Sequence, residues 1–344
     1  MDNKRHRLVL ALLLFLLFFP ELLWGGPLYQ GVMSIDDRPL YIAVYGKDET
    51  RPAMICLPFG PGSSSRYLEE SLPPLFEGTI RLVFIDYYYS GRSLPSERPL
   101  LYDRRPLEGI TPSDQADLIL SLMTTLGIER FGVLGHDFGA FVGVRLLEKA
   151  PERILFFAGV SPRIDYPDDL TRLAHHLDEA YETRKNENSV SGLKALEQQN
   201  RLSRLHGMTA PGPEEAETLF SLLGNFPEFT FYQPVGKKTR KSVEKLLRTG
   251  AFFPGYSVKE MLPYLYSSSY YTADETGLLK DAPCPRLLLR GESDVWFPAS
   301  AGSTRNGLSY ETIPRAAFFP MLENPRAFKT ALLDFLRANH IIGR

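Results

Sequence analysis

Short apolar runs alternate with longer amphipathic stretches along most of the chain. Five runs are mostly apolar and are bounded by Gly, Pro or charged residues: 53–58, 81–86, 131–135, 154–160 and 284–291. Strands of this kind are buried on both faces, which is typical of a parallel sheet. Two alternating segments, 28–35 and 39–46, precede them and predict a hairpin.

Helical patterns separate these predicted strands. Segments 113–127, 140–150 and 324–340 carry apolar residues at three- and four-residue spacing. Strands that alternate with helices in this way predict an α/β fold with a doubly wound, mostly parallel sheet.

The strand pattern stops between residues 161 and 281. This stretch is first polar and helical, then interrupted by Pro and Gly, and finally rich in aromatic residues. A long segment without strands, inserted into a sheet domain, predicts a helical cap. We therefore expect a core domain formed by residues 27–163 and 281–344, with the cap formed by residues 164–280.

The N-terminus has the layout of a secretory signal. Lys4, Arg5 and Arg7 precede an apolar run over 8–19, and a second apolar patch ends at Trp24. The uninterrupted run is shorter than the ~20 residues that a spanning helix needs. We expect residues 1–26 to be a signal peptide or a membrane anchor. The protein would then be secreted, periplasmic or held on a membrane by this segment, with the basic flank in the cytoplasm.

Composition excludes some classes of partner. The formal net charge of −2 does not favour nucleic acid, and two cysteines are too few for a disulfide framework. No metal-ligand cluster or nucleotide-binding loop stands out, so no cofactor and no metal are expected. The aromatic residues favour a small hydrophobic molecule as ligand, if there is one. Contact with a membrane is expected only through the N-terminal segment.

One glycine-flanked turn carries the candidate chemistry. Gly135-His136-Asp137-Phe138-Gly139 ends a predicted buried strand and begins a helix. This spacing forces the central residue, Asp137, into a strained conformation at the carboxyl end of the sheet, where ligands bind in such folds. The alternative is an ordinary turn in which Asp137 caps the helix.

Five segments resemble the α/β-hydrolase superfamily, in the order in which its members have them. Residues 56–68 correspond to the oxyanion loop, and residues 84–93 correspond to the Asp-containing segment after the next strand. Residues 131–154 correspond to the nucleophile elbow with its helix. Residues 286–299 correspond to the strand bearing the catalytic acid, and residues 318–328 correspond to the stretch after the catalytic histidine. The flanking segments are most similar to iminopeptidase-like members.

The resemblance implies a role for several residues. An aspartate at the elbow resembles epoxide hydrolases and alkyl-halide dehalogenases, in which it attacks an sp³ carbon. A carboxylate with a reference pKa of ~3.9 is ionised at neutral pH and needs no base for this attack. The resemblance places the catalytic acid at Asp294 and the oxyanion-hole amides at Phe59 and Phe138.

The histidine of the superfamily is missing from its expected position, which Phe318 occupies. The six histidines of the chain lie elsewhere: His6, His136, His175, His176, His206 and His340. An alkyl-ester intermediate needs a base to activate water, which is worth ~10²–10⁴-fold in rate. We therefore expect impaired or unusual turnover, with Tyr87, Tyr88 and Phe318 in contact with substrate.

Three functions remain open at this point. The first is a hydrolase that uses Asp137 on an epoxide or similar alkyl electrophile. The second is a catalytically inactive homologue that binds a ligand or partner. The third is a cofactor-free enzyme that is not a hydrolase.

Overall fold

The computed structural model describes residues 26–95, 110–186, 274–295 and 307–343. Within them, eight strands form a mixed sheet in the order β1-β2-β4-β3-β5-β6-β7-β8. The strands are β1 (Tyr29–Ile35), β2 (Arg38–Tyr45), β3 (Ala53–Leu57), β4 (Arg81–Ile85), β5 (Phe131–His136), β6 (Ile154–Val160), β7 (Arg286–Gly291) and β8 (Leu308–Ile313). The predicted α/β fold with a mostly parallel sheet is confirmed.

Helices connect the strands and cover the sheet. They are α1 (Arg66–Ser71), α2 (Pro73–Phe76), α3 (Pro112–Thr125), α4 (Phe138–Lys149), α5 (Tyr166–Asn186), α6 (Thr276–Asp281), α7 (Pro320–Glu323) and α8 (Pro325–Ala338). Helix α3 shows how local sequence sets a boundary. The Thr111 side chain accepts from the Asp114 amide and the Asp114 carboxylate accepts from the Thr111 amide, which satisfies two helix-end donors.

Strand register brings the loops of the candidate site together. Strands β3 to β8 run parallel, whereas β1 and β2 form an antiparallel hairpin and β2 pairs antiparallel with β4. Leu57 of β3 lies beside Gly135 of β5, which lies beside Gly159 of β6. The loops that follow these neighbouring strands therefore leave the sheet at the same edge.

Helix α5 departs from the sheet soon after β6. Asp165 and Asp274 form an antiparallel bridge where the chain leaves the core and where it returns. Residues 187–273, which make up most of the predicted cap, lie outside the described residues, so the cap and its limits stay a prediction.

The predicted N-terminal signal or anchor falls almost entirely on residues outside the described part of the chain. Among the helices that the structure does describe, none has the length and apolar character needed to cross a bilayer.

Candidate functional site

Asp137 lies at a strained turn between β5 and α4. Its backbone angles are φ 56° and ψ −112°, and its side chain makes no capping hydrogen bond to α4. A Cβ at Gly139 would collide with the Leu57 carbonyl oxygen, and one at Gly135 would collide with the Gly139 oxygen. Only glycine at both positions allows the helix to approach the sheet this closely. The turn therefore has the form of a nucleophile elbow rather than an ordinary capped helix start.

The two oxygens of Asp137 have different partners. The Gly60 amide donates to Oδ2 at 3.3 Å. Oδ1 forms an ion pair with Nε of Arg163, which follows β6. The side chains of Asp137 and Arg163 are 1% and 8% exposed. The carboxylate is thus buried, with one oxygen against the Gly60 amide and the other against a guanidinium.

Burial raises the pKa of Asp137 above its ordinary value. The positive charge of Arg163 and hydrogen bonds from the Phe138 and Gly60 amides oppose this rise, while the negative charge of Asp294 adds to it. Because the net shift of the Asp137 pKa is upward, desolvation of the carboxylate outweighs the stabilisation that its partners supply.

The oxyanion loop presents a different amide from the one predicted. The Phe59 N–H donates to the Tyr67 hydroxyl at 3.0 Å. The next amide, that of Gly60, faces the Asp137 carboxylate instead. Of the predicted pair, only the Phe138 amide acts on this carboxylate, where it lowers the pKa.

A chain of hydrogen bonds uses both ring nitrogens of His136. Nε2 lies 2.8 Å from the Phe318 carbonyl oxygen and Nδ1 lies 2.7 Å from the Tyr67 hydroxyl. A carbonyl oxygen can only accept, so Nε2 carries the proton and Nδ1 accepts from Tyr67. The Tyr67 oxygen in turn accepts from the Phe59 amide. Burial lowers the pKa of His136 to about 3, so this imidazole is neutral and has no free nitrogen for proton transfer.

Phe318 fills the space beside this histidine. Its ring centroid lies 4.5 Å from that of His136 and 6.0 Å from that of Phe59. The side chain is buried, at 6% exposed. His175 and His176 lie exposed on α5 beside Glu179. These two histidines thus interact with the exposed surface of α5, whereas both ring nitrogens of His136 have buried partners.

Asp294 lies in the loop after β7, where its amide donates to the Gly291 carbonyl at 3.1 Å. The residue is 5% exposed. Its charge raises the pKa of Asp137, which shows that the two carboxylates share one electrostatic environment. Among the described residues, no group of His, Cys, Asp or Glu side chains is arranged to hold a metal ion.

The predicted substrate-binding tyrosines have structural contacts. Tyr87 is 1% exposed, donates to the Pro58 carbonyl at 3.2 Å and packs edge-on against Phe138, with ring centroids 5.3 Å apart. Tyr88 is half-buried, and the Arg38 guanidinium lies 5.5 Å from its ring centroid. Tyr87 thus supports the elbow and the oxyanion loop.

The segment that contains these tyrosines is held by a buried carboxylate. Asp86 is fully buried and accepts from the Ser65 amide at 2.6 Å and from Nε of Arg92 at 2.8 Å. Arg92 also pairs with Glu69 of α1. These charges therefore join the segment to α1.

Two residues that the sequence did not mark out complete the site. Arg163 pairs with Asp137, and Asp169 in the first turn of α5 pairs with Arg172. Burial raises the pKa of Asp169 well above its ordinary value. One sequence feature could have identified Arg163 as a site residue. It lies three residues after a predicted parallel strand, at the edge of the sheet where ligands bind.

Comparison with known proteins supports the fold. The family model for the alpha/beta hydrolase fold matches residues 52–199. A protein of Yersinia enterocolitica with the provisional name carbamate hydrolase RutD is 28% identical over 116 residues, which are 33% of this chain and 37% of that protein. The match thus spans well under half of this curated relative.

Solved structures are similar over most of the chain. The proline iminopeptidase-related protein of Thermus thermophilus has a TM-score of 0.66 at 25% identity, covering 90% of this chain and 97% of that one. The proline iminopeptidase of Mycobacterium smegmatis has a TM-score of 0.61 at 17% identity, covering 90% and 98%. The second likeness concerns the fold alone.

Proposed function

The chain belongs to the α/β-hydrolase superfamily, and we propose that it is a homologue that binds a ligand without hydrolytic turnover at the elbow. The ion pair between Arg163 and Oδ1 of Asp137 carries this proposal. Oδ2 accepts from the Gly60 amide, so Oδ1 is the oxygen left for attack on a substrate. Arg163 occupies that oxygen.

Ester formation at Asp137 would also be costly. Alkylation removes the negative charge of the carboxylate and leaves the buried Arg163 without this partner. Removal of one partner of a buried ion pair is destabilising, although negative charge at Asp169 offsets part of that cost for Arg163. The pairing therefore opposes the first chemical step.

The second step lacks a base. Release of an alkyl ester requires water activation, and Phe318 has no group that can accept a proton. Both nitrogens of His136 are engaged, and its pKa of about 3 leaves it a weak base. An ester on Asp137 would persist.

The activities named for the relatives do not suit an elbow aspartate. Carbamate hydrolysis and iminopeptidase activity both require attack on an acyl carbon. A carboxylate nucleophile would produce a reactive anhydride there. The aromatic groups near the elbow, Phe59 and Phe318, favour a small apolar ligand instead.

A second candidate function is alkylation of Asp137 in a single turnover. The amides of Gly60 and Phe138 act on the carboxylate, as expected for an oxygen held in an oxyanion hole. In this candidate an epoxide or alkyl electrophile displaces Arg163 from Oδ1 and forms a stable ester.

Intact-protein mass spectrometry with a small aryl epoxide separates the two functions. The binding homologue leaves Asp137 unlabelled, and Phe318→His stays inert. The single-turnover function predicts that one adduct accumulates on the wild type. Asp137→Ala should not form this adduct, whereas the control Asp168→Ala, whose carboxyl is exposed, should still form it. In that case Phe318→His should release the adduct. Repeated turnover by the wild type without an adduct contradicts both functions.

Binding is measured separately from labelling. Saturation-transfer NMR with a panel of small aromatic compounds should give signals with the wild type and weaker signals with Phe59→Ala. A panel that gives no signal with the folded wild type argues against an apolar ligand site.

We further propose that residues 8–24 direct export, on the basis of the apolar run and its basic flank. Fractionation of cells should place the full-length protein outside the cytoplasm or on a membrane. Deletion of residues 2–25 should retain the protein in the cytoplasm. Equal cytoplasmic recovery of both forms contradicts this proposal.

A further inference from the structure

Exposed apolar side chains are concentrated at the start of the sheet. Among the described residues, four large apolar side chains are exposed, and three of them lie in β1 or just before it. Leu28 is 49% exposed, Tyr29 36% and Val32 55%, whereas the fourth, Leu278, lies on α6. Single exposed apolar residues are normal, but a group of them marks a surface that suits an apolar partner. We call Leu28, Tyr29 and Val32 the β1 patch.

The β1 patch lies at an edge of the sheet. Within the described residues β1 pairs only with β2, and the Leu28 amide extends this pairing by donating to the Val44 carbonyl at 2.7 Å. Residues four apart in a strand share a face, so Leu28 and Val32 project to the same side, about 13 Å apart. The apolar side chains thus follow the outer strand of the hairpin.

Tyr29 lies along the backbone of this edge. Its hydroxyl donates to the Val32 carbonyl at 3.4 Å, and a Cβ on Gly31 would lie 3.4 Å from the same hydroxyl oxygen. The ring therefore passes over Gly31 with its polar end at Val32. A side chain with an apolar body and a polar end is the type that concentrates at membrane–water interfaces.

The chain ahead of the β1 patch is the apolar N-terminal segment. Residues 8–19 are an uninterrupted apolar run, a second apolar stretch ends at Trp24, and Leu28 follows after three residues. Four Cα steps span at most about 14 Å. The headgroup layer on one side of a bilayer is about 5–8 Å thick. A bilayer that holds residues 8–24, with Trp24 at its interface, therefore keeps Leu28 within roughly 10 Å of the headgroups.

We propose that the β1 patch lies in the headgroup region of the membrane that holds residues 8–24. The inference rests on the proposed export through residues 8–24, and it requires that this segment stays attached to the domain. It does not rest on the proposed function of the elbow. The contact sets the orientation of the sheet, with β1 at the membrane and β8 at the far edge.

Acidic side chains limit the contact to one end of β1. Asp36 and Asp37 form the turn between β1 and β2, and both are exposed. At about 3.4 Å per residue, Asp36 lies about 27 Å along the strand from Leu28 and about 14 Å from Val32. A carboxylate loses hydration in the headgroup region, so the turn should stay in water. Strand β1 should therefore meet the membrane at its first residues and tilt away towards the turn.

The opposite edge of the sheet supplies an internal reference. β1 and β8 are the two edge strands of the eight-stranded sheet. Strands lie about 4.8 Å apart, so the two edges are separated by roughly 34 Å. Thr312 of β8 is exposed. A label at Thr312 should therefore lie well outside the headgroup region when a label at Val32 lies within it.

Fluorescence quenching in the full-length protein tests the inference. Val32→Cys and Thr312→Cys are each labelled with a fluorophore in the folded state, where Cys56 and Cys284 are buried, and the wild type sets the background. Each protein is incorporated into phosphatidylcholine–phosphatidylglycerol vesicles that carry a nitroxide on the headgroup, and bound protein is collected by flotation. The label at Val32 should be quenched, and the label at Thr312 should keep its emission.

A substitution within the β1 patch provides a matched comparison. Leu28→Asp, combined with the label at Val32, should lose most of the quenching, because a charged side chain then faces the headgroups. Leu278→Asp replaces the exposed leucine of α6 and should leave the quenching unchanged. Cys56 should stay unreactive in every variant, which shows that the sheet is folded.

The outcomes separate this inference from the export proposal. Protein that floats with no quenching at Val32, or with equal quenching at Val32 and Thr312, overturns the inference alone. Unchanged quenching in Leu28→Asp does the same. Protein that does not float overturns both the inference and the attachment of residues 8–24 to a membrane. Emission at Val32 that rises when unlabelled protein is added shows a second copy at β1, and this result also overturns the inference.

Discussion

Replacing Arg163 by Met should destabilise the protein by about 3–5 kcal/mol at neutral pH. Both partners of the Arg163–Asp137 pair are almost fully buried, and removal of one leaves an uncompensated carboxylate. The variant also loses the contact between Arg163 and the Tyr166 hydroxyl, at 3.3 Å. The Gly60 amide still reaches Asp137, so the loss should not greatly exceed this range.

The cost of Arg163→Met should depend on pH. Burial already raises the pKa of Asp137 in the folded protein, and removal of Arg163 raises it further. A raised carboxyl pKa means that the folded state binds more protons than the unfolded state, so stability falls as pH rises above about 4. The variant should therefore be closer to the wild type at pH 4.5 than at pH 8.

Replacement of the other partner of this ion pair should lower stability less. Asp137→Asn removes the carboxylate but leaves Arg163 near Asp169, whose pKa it already lowers. The Asp169 carboxyl group can then supply negative charge beside Arg163. We expect a loss of less than about 2 kcal/mol, in contrast to the full cost of an unpaired buried charge.

Urea denaturation of the three proteins at pH 4.5, 7 and 8 measures these differences. Arg66→Met serves as a control, because Arg66 and Glu70 form an exposed pair and its loss should cost at most about 1 kcal/mol. An Arg163→Met protein that loses less than about 1 kcal/mol at pH 8 would refute the reasoning. Equal losses for Arg163→Met and Asp137→Asn would refute the compensation by Asp169.

Three further predictions concern the backbone and the neutral histidine. The pKa of His136 falls from 6.5 to about 3 on folding, so stability should decline as pH drops from about 6.5 towards 3. His136→Asn should flatten that decline in denaturant titrations. An unchanged dependence of stability on pH would contradict a buried neutral imidazole. Gly139→Ala should lower stability by about 1–3 kcal/mol or more, because the new Cβ meets backbone oxygens. Gly277→Ala has free space around the new Cβ and should not destabilise the protein. Thermal unfolding that ranks the two variants in the opposite order contradicts the packing argument. Tyr89 has φ 64°, so Tyr89→Ala should be about 1 kcal/mol less stable than Tyr89→Gly by the same measurement, and equal stability would show that the position is not strained.

Burial on both faces explains which strands the sequence could predict. The central strands β3 and β5 are buried at every position, and their apolar runs were recognisable without any tertiary information. Strand β8 was not predicted. It lies at the edge of the sheet, and its sequence LSYETI mixes buried and exposed positions. An edge strand is defined by its neighbour more than by its own composition.

The candidate site was predictable only where local geometry dictates it. The spacing of Gly135 and Gly139 marks a close approach of helix and sheet, and it placed Asp137 at the turn. The pairing of Arg163 with Asp137 depends on the direction of a long side chain and leaves no local pattern. The choice between the Phe59 and Gly60 amides depends on the hydroxyl of Tyr67, a contact that the sequence does not show.

The bridge between Asp165 and Asp274 brings the two ends of the intervening segment together. Paired residues in an antiparallel bridge lie only about 4.5–5.5 Å apart, so the chain leaves the core and returns to it at adjacent points. The closure entropy of such a loop grows slowly, by about 0.6 kcal/mol for each doubling of its length. The number of residues between α5 and Asp274 can therefore change at a small cost in closure entropy while the elbow and its glycines keep their geometry.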